Sequence, residues 1–216
     1  MREEKSIEDR RFPQEEKIPE TEGMDMREKV REKNGITTYK VVFIGVMAAV
    51  VYVLTMFRFP LLGSKVHFAN AMALLSGLLL GPVGGGLAAG IGSGLYDLLG
   101  GGYGLDEALI TTVSKFAMAW LCARVAGTER EHVHPGRVTT ACAAGALFYV
   151  ALYMLKTFVY QRFVYGFPVD AVWATMLTKL PASLINAGFA MVVTPLFYAA
   201  ILPPLNKTGA LRHLDA

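Results

Sequence analysis

The 216-residue chain has little charge, only two cysteines and none of the common motifs of a soluble enzyme. Charged residues make up 18% of it, whereas 53% of its residues are hydrophobic. A body this apolar is not typical of a soluble domain, and its length fits about six membrane helices of ~20 residues each. The charges of the body stand in predicted loops or singly within apolar runs, so nucleic acid is not an expected partner.

Motifs for catalysis and for nucleotide or metal binding are missing as well. Gly84–Gly86 lacks the Lys-Ser/Thr ending of a phosphate-binding loop, and no Ser/His/Asp set is apparent. His132-x-His134 is a weak metal pattern in a polar loop, so we predict no metal, no cofactor and no catalytic residue. We expect Cys122 and Cys142 to be free thiols that pack as small hydrophobic residues.

The charges that are present concentrate at the start of the chain. Residues 1–35 contain 9 Lys/Arg and 11 Asp/Glu and few apolar residues. Such a segment cannot bury enough surface to offset the entropy of an ordered chain. We therefore predict a disordered cytoplasmic tail at 1–35, a membrane domain at 36–204 and a second cytoplasmic tail at 205–216.

The apolar runs predict an all-α integral membrane protein with six transmembrane helices in the lipid bilayer. The breaks between them fall at Pro and Gly, which end or interrupt helices. The predicted helices are Thr38–Phe57, Ala69–Leu80, Val83–Leu99, Glu107–Val125, Val138–Phe163 and Ala171–Leu202, the last ended by Pro203-Pro204.

Six helices place both termini on the same side of the membrane. If that side is the cytoplasm, the inner flanks and loops carry six basic residues besides the tail, and the outer loops carry three. Because Lys and Arg favour cytoplasmic loops, we expect a cell-membrane protein with both termini in the cytoplasm.

A ladder of glycines lies in the middle of the apolar region, between residues 67 and 97. Gly86, Gly90 and Gly94 lie four apart and so share one helical face. In water each glycine costs a helix roughly 1 kcal/mol against alanine, but in lipid small residues let two helix backbones approach closely. We predict a helical hairpin that turns at Gly81-Pro82, with a tightly packed second helix that ends near Asp97.

Three lysines stand within the apolar runs, where a charge costs at least ~2.5–3.5 kcal/mol on insertion scales. Lys115 and Lys179 each lie 8 residues after the predicted start of their helix, and Lys156 lies 9 residues before Tyr165. At ~1.5 Å rise per residue, all three lie roughly 12–14 Å below the outer helix ends. This shared depth predicts a cavity open to the outside, although each lysine also has the length to snorkel toward the headgroups.

The polar residues around these lysines predict the properties of a ligand. Asp97 is the one acid within the apolar runs, so it can pair with at most one lysine. The other lysines need hydroxyls, carbonyls, water or a ligand with a carboxylate or another electron-rich edge, or else they lose a proton and become neutral. Tyr160 and Trp173 offer flat faces nearby, although interfacial anchoring also explains each of these aromatics. The predicted substrate-binding residues are His67, Asn70, Asp97, Lys115, Tyr153, Lys156, Lys179 and Asn186.

Two stretches carry a resemblance to a known family. The first is VHFANAMALLSGLLLGPVGGGLAAGIGSGLYDLLGG with the lysine of TTVSKFAMAW after it, and the second is LPASLINAGFAMVVTPLFYA. They resemble the S components, or substrate-binding membrane subunits, of energy-coupling factor (ECF) vitamin transporters, in the riboflavin- and hydroxymethylpyrimidine-type group. The resemblance covers about residues 38–204. It implies a six-helix binding subunit, not an enzyme, with a vitamin or related micronutrient bound beneath the loop Phe59–Asn70.

The same resemblance implies protein partners. These are a membrane scaffold (T) subunit and two ATPase subunits, which hydrolyse the ATP. In the family a small-xxx-small motif on the first helix docks the scaffold, and here Gly45-xxx-Ala49 stands at that place with Ala48 beside it. The usual motif has alanine at both positions, so Gly45 departs from it. Small residues at this spacing can also pack within the bundle itself.

Two other classes of function also fit the residues. A small intramembrane enzyme would use a lysine or Asp97 as acid or base, and the purified chain would turn over a substrate. A structural membrane protein would neither bind a small ligand nor turn one over, and it would tolerate changes at the three lysines. A binding subunit would instead hold a small ligand stoichiometrically without turnover.

Overall fold

The computed structural model describes residues 38–61, 64–127 and 134–209, which form a helical bundle with one β-hairpin. The predicted tail at 1–35, His132 and most of the C-terminal tail lie outside the described residues. The elements are α1 (Thr38–Met56), β1 (Arg58–Leu61), β2 (Ser64–His67), α2 (Ala69–Leu99), α3 (Leu105–Ala126), α4 (Pro135–Val159, continued by a π-helical turn at Tyr160–Val164) and α5 (Val169–Lys207).

Five helices of the described residues are long and apolar enough to cross a membrane, whereas the sequence predicted six. The difference lies in α2, which contains two of the predicted segments. Gly81 has φ 78° and ψ −176°, and Pro82 follows it, so the regular helix is interrupted there. Ser76 Oγ donates a hydrogen bond to the Gly85 carbonyl at 3.0 Å. A straight helix would separate these two residues by about 13 Å, so the two halves of α2 fold back on each other.

The helix α2 lies at the centre of the bundle and contacts all four other helices. Most of its residues are buried, whereas only a minority of the residues of each other helix are buried. The exposed surfaces carry large apolar side chains such as Val41, Leu177 and Leu196. Contiguous apolar surface of this kind is rare on soluble monomers and suits contact with lipid. The glycine-rich stretch is therefore the innermost part of a membrane bundle.

The three glycines predicted to share one face all lie against α3. A Cβ added to Gly86 would come within 2.7 Å of the Phe116 ring, and one added to Gly90 within 2.7 Å of the Thr112 carbonyl oxygen. A Cβ on Gly94 would overlap the Thr112 hydroxyl. The prediction that these small residues allow close helix packing is confirmed at this face.

Two other faces of the same segment meet two other neighbours. A Cβ on Gly85 would overlap the backbone of Gly77, in the first half of α2. A Cβ on Gly92 would overlap the carbonyl oxygen of Ala48, in α1. Each row of small residues therefore lets a different backbone approach, which places α2 in the middle of the bundle.

The three predicted scaffold-docking residues of α1 do not share one surface. Gly45 and Ala49 are exposed, and a Cβ on Gly45 would meet nothing within 4 Å. Ala48 is buried against α2 and is only 8% exposed. The outward small-xxx-small pair thus consists of Gly45 and Ala49, and Ala48 serves the packing of the bundle.

The predicted loop between the first two helices contains an antiparallel β-hairpin. Arg58 pairs with His67, and Pro60 pairs with Lys65. Strands this short, with a proline in one of them, give almost no periodic signal in the sequence. The backbone N–H of His67 donates to Asn186 Oδ1 at 3.0 Å, which ties the hairpin to α5.

The predicted end of the last helix at Pro203-Pro204 is wrong, because α5 continues to Lys207. The fixed φ of proline is itself helical, so proline can stay in a helix where the lost N–H donors are tolerated. The last turn is closed by the Thr208 N–H, which bonds to the Pro204 carbonyl at 3.1 Å.

Candidate functional site

A cavity of about 630 Å³ lies between the β-hairpin and the helices. Its walls come from the end of α1, the hairpin, both ends of α2, and the halves of α3, α4 and α5 that share this end of the bundle. Pockets for small organic ligands have volumes of about 300–1,000 Å³. The cavity is therefore large enough for a ligand of vitamin size.

All eight residues predicted from the sequence line this cavity. They come from the hairpin and from four different helices, so the fold assembles them from distant parts of the chain. Their contact with a ligand remains a prediction. Trp173, in contrast, is 53% exposed and lies with its ring 6.3 Å from that of Phe158. The eight residues are His67, Asn70, Asp97, Lys115, Tyr153, Lys156, Lys179 and Asn186.

Lys115 is held deep in the bundle by two partners. Its Nζ donates a hydrogen bond to Asn70 Oδ1 and lies 3.9 Å from the centre of the Tyr149 ring. Lys115 is 2% exposed and Asn70 is 3% exposed, so this lysine does not snorkel to the headgroups. Tyr149 is not among the residues predicted to line the site, although it precedes Tyr153 by one helical turn and so shares its face.

Lys156 is paired with an acid at a helix end rather than with one inside an apolar run. Its Nζ lies 3.4 Å from Glu107 Oε2, in the first turn of α3. One turn later on α4, the Tyr160 hydroxyl donates to Asp106 Oδ2 at 2.7 Å. These two contacts tie the start of α3 to the end of α4 at the rim of the cavity. The expectation that Asp97 is the one available acid is thus wrong, because an acid at a helix end also reaches a lysine inside.

Lys179 differs from the other two lysines. It is half-buried, and its ammonium has no hydrogen bond or ion pair with any described residue. Asp97 is also half-buried and acts on Lys115 through its charge, but no described ion pair joins it to a lysine. Lys179 therefore presents an unpaired positive charge to the cavity.

Arg58, one of the three basic residues predicted for the outer loops, lines the cavity. Its guanidinium lies 4.0 Å from the centre of the Tyr96 ring and 5.9 Å from that of Tyr103. Its Nε also donates to the Thr55 carbonyl at 3.0 Å. Because the two tyrosines come from the far end of α2 and the loop after it, no local pattern could have indicated this arrangement.

His67 lies directly opposite Arg58 in the hairpin and is neutral at neutral pH. Burial, together with the positive charges of Lys115 and Arg58, lowers the pKa of His67 from 6.5 to about 3. A neutral imidazole has one N–H donor and one nitrogen that accepts hydrogen bonds. Its Nδ1 is buried and has no hydrogen-bond partner among the described residues.

Four buried side-chain atoms of the described residues lack a hydrogen-bond partner, and all four belong to residues that line this cavity. Native proteins pair nearly all buried polar atoms, because an unpaired one costs about 1–3 kcal/mol. Their concentration at one place is what a site for a polar ligand requires. The four atoms are Arg58 Nη2, His67 Nδ1, Ser93 Oγ and Gln161 Oε1.

Comparison with known proteins agrees with this architecture. Among solved structures, one described as the S component of a bacterial ECF transporter superposes with a TM-score of 0.61, covering 77% of this chain and 96% of that one. The two sequences are 17% identical, so this likeness shows the fold alone. No curated protein matches the chain. The family model described as "ECF-type riboflavin transporter, S component" matches residues 35–202. The chain therefore belongs to the family of riboflavin-type S components of ECF transporters.

Proposed function

We propose that this chain is the substrate-binding subunit of an ECF-type importer and that it holds a micronutrient in the cavity beneath the β-hairpin. S components are the binding subunits of these transporters and not enzymes. The observation that carries the proposal is the set of four unpaired buried polar atoms around one cavity. A polar ligand that donates to some of these atoms and accepts from others would remove the cost of leaving them unpaired.

The shape and lining of this cavity suit riboflavin or a molecule of similar shape. The family is described by riboflavin transport. Five tyrosines line the cavity, and their faces suit a flat aromatic ring system. The polar atoms between them suit ring carbonyls and hydroxyls, which agrees with the carbonyl-rich or anionic ligand expected from the lysines. The tyrosines are Tyr103, Tyr149, Tyr153, Tyr160 and Tyr165.

The proposed arrangement in the cell membrane has six crossings and both termini in the cytoplasm. The reversal at Gly81 divides α2 into two halves, so it adds a sixth crossing to the count of five helices. The distribution of Lys and Arg favours an arrangement with the cavity and the hairpin on the outer side. A ligand would enter there from outside, and the hairpin would cover it.

The proposed partners are a membrane scaffold subunit and two ATPase subunits. The exposed pair Gly45 and Ala49 offers a flat strip of α1 against which a partner helix can pack closely. ATP hydrolysis by the partners would then reorient this chain and release the ligand inside.

The experiment is to purify the full chain in detergent, identify any co-purified small molecule by mass spectrometry, and titrate the protein with riboflavin by fluorescence quenching. We expect saturable binding of one ligand per chain, without turnover. Lys179→Gln should weaken binding, whereas Lys207→Gln, on the same helix but outside the cavity lining, should not. The proposal fails if no small molecule binds with or without the partner subunits, or if the purified chain alone converts its ligand.

A further inference from the structure

We propose that Arg58 and His67 together recognise an anionic oxygen of the ligand, so that the cavity binds an acidic micronutrient, such as a phosphate ester, more tightly than its neutral parent. This inference rests on the proposed function, since it concerns the same cavity. It names two residues and a ligand charge that the membership of the family does not specify.

The two residues face the same space because of the register of the hairpin. Arg58 and His67 are direct partners across the antiparallel pair β1–β2. Side chains of directly opposed residues lie on the same face of a sheet, with Cβ atoms about 4.5–5.5 Å apart. Both side chains line the cavity, and each has a buried polar atom without a partner among the described residues.

The guanidinium of Arg58 is fixed in place before any ligand arrives. It lies over the ring of Tyr96, its Nε donates a hydrogen bond to the Thr55 carbonyl, and the ring of Tyr103 is nearby. Its Nη2 remains as a buried charged donor that no described residue satisfies. Arginine is the side chain best suited to carboxylate and phosphate oxygens, and a fixed guanidinium loses little entropy when it binds them.

The charge balance of the cavity points to the same ligand. Its described lining contains four Lys or Arg side chains and two Asp or Glu side chains. Glu107 is paired with Lys156, and no described ion pair joins Asp97 to Arg58 or Lys179. A neutral ligand would leave this excess of positive charge in place, whereas an anionic ligand would compensate it. The neutral imidazole of His67 adds no further charge and can donate from its N–H.

The test compares riboflavin with riboflavin 5′-phosphate, two probes that differ only by the phosphate group. The full chain in detergent is titrated with each by fluorescence quenching at pH 7.5. We expect wild type to bind the phosphate ester more tightly than riboflavin. Arg58→Gln should shift the ratio of the two dissociation constants by tenfold or more against the ester, and His67→Leu should shift it in the same direction. Arg124→Gln is the matched control, since Arg124 also lies over an aromatic ring, Trp120, but does not line the cavity.

The ratio within each variant separates a specific effect from misfolding, because a misfolded variant loses both ligands together. The inference is overturned if wild type binds riboflavin but not its phosphate ester, a result that leaves the proposed function intact. It is also overturned if Arg58→Gln and His67→Leu both bind one ligand per chain, as a folded variant does, and leave the ratio of the two dissociation constants unchanged, or if wild type binds neither flavin.

Discussion

At the scale of single residues, the three lysines of the cavity differ in character. Lys115 is buried and satisfied by Asn70 and Tyr149, which makes it part of the packing. Lys156 is paired with Glu107 at the rim. Lys179 has no partner among the described residues and faces the cavity. The sequence alone placed these lysines at one depth, but it could not distinguish them, because their partners come from other helices.

The pairing of Lys115 with Asn70 predicts a strong coupling between these two positions. Asn70→Leu leaves a buried ammonium without its acceptor, and a buried polar group left unsatisfied costs about 1–3 kcal/mol, or more when it is charged. Adding Lys115→Met replaces both partners with apolar groups, so most of that loss should be recovered. The measurement is a double-mutant cycle of unfolding free energies in detergent.

The control for this cycle is the same lysine substitution at a position without the contact. Lys179→Met combined with Asn70→Leu should give additive effects, since no hydrogen bond joins these residues. If Lys115→Met fails to rescue Asn70→Leu, the hydrogen bond seen between them contributes nothing to stability.

At the scale of elements, the reversal of α2 brings the two ends of this helix to the same end of the bundle, where both line the cavity. Gly81 and Pro82 make the turn, and Gly85 and Gly77 let the two halves touch backbone to backbone. This part of the fold was predictable, because the glycine spacing and the Gly-Pro turn are local signals. The β-hairpin was not, since its strands are four residues long and the contact of His67 with Asn186 spans more than a hundred residues.

The close approach inside α2 predicts that Gly85→Ala destabilises the protein. Alanine is the better helix former by about 1 kcal/mol, but its Cβ would overlap the Gly77 backbone, which cannot move aside as a flexible side chain can. Overpacking of this kind costs about 1–3 kcal/mol or more, so the steric cost outweighs the gain in propensity. We expect a lower melting temperature in detergent.

Gly188→Ala is the matched control, because it makes the same change in α5 where a Cβ would meet nothing within 4 Å. That variant should be as stable as wild type or slightly more so. Equal melting temperatures for the two variants would contradict the backbone contact between Gly85 and Gly77.

At the scale of the whole molecule, the fold combines a buried centre with a polar end. The innermost helix α2 contacts the four others, and the cavity forms where these helices and the hairpin leave space between them. Composition predicted the class of fold, and the shared depth of the three lysines predicted the end of the bundle at which the cavity lies. They could not indicate Arg58 as a cavity residue, because its position depends on tyrosines that follow it by about forty residues.

The orientation of the whole bundle is open to a direct test on a single helix. The 39 residues of α5 extend over about 58 Å, more than the ~30 Å hydrocarbon core, so its two ends are expected on opposite sides of the membrane. Asp170 lies at the end near the cavity and Thr208 just after the other end, and both are exposed.

In intact cells a membrane-impermeant maleimide should label Asp170→Cys but should label Thr208→Cys only after permeabilisation. Wild type is the control, since Cys122 and Cys142 are both buried and should not react. Labelling of Thr208→Cys from outside would reverse the proposed orientation and place the cavity on the cytoplasmic side.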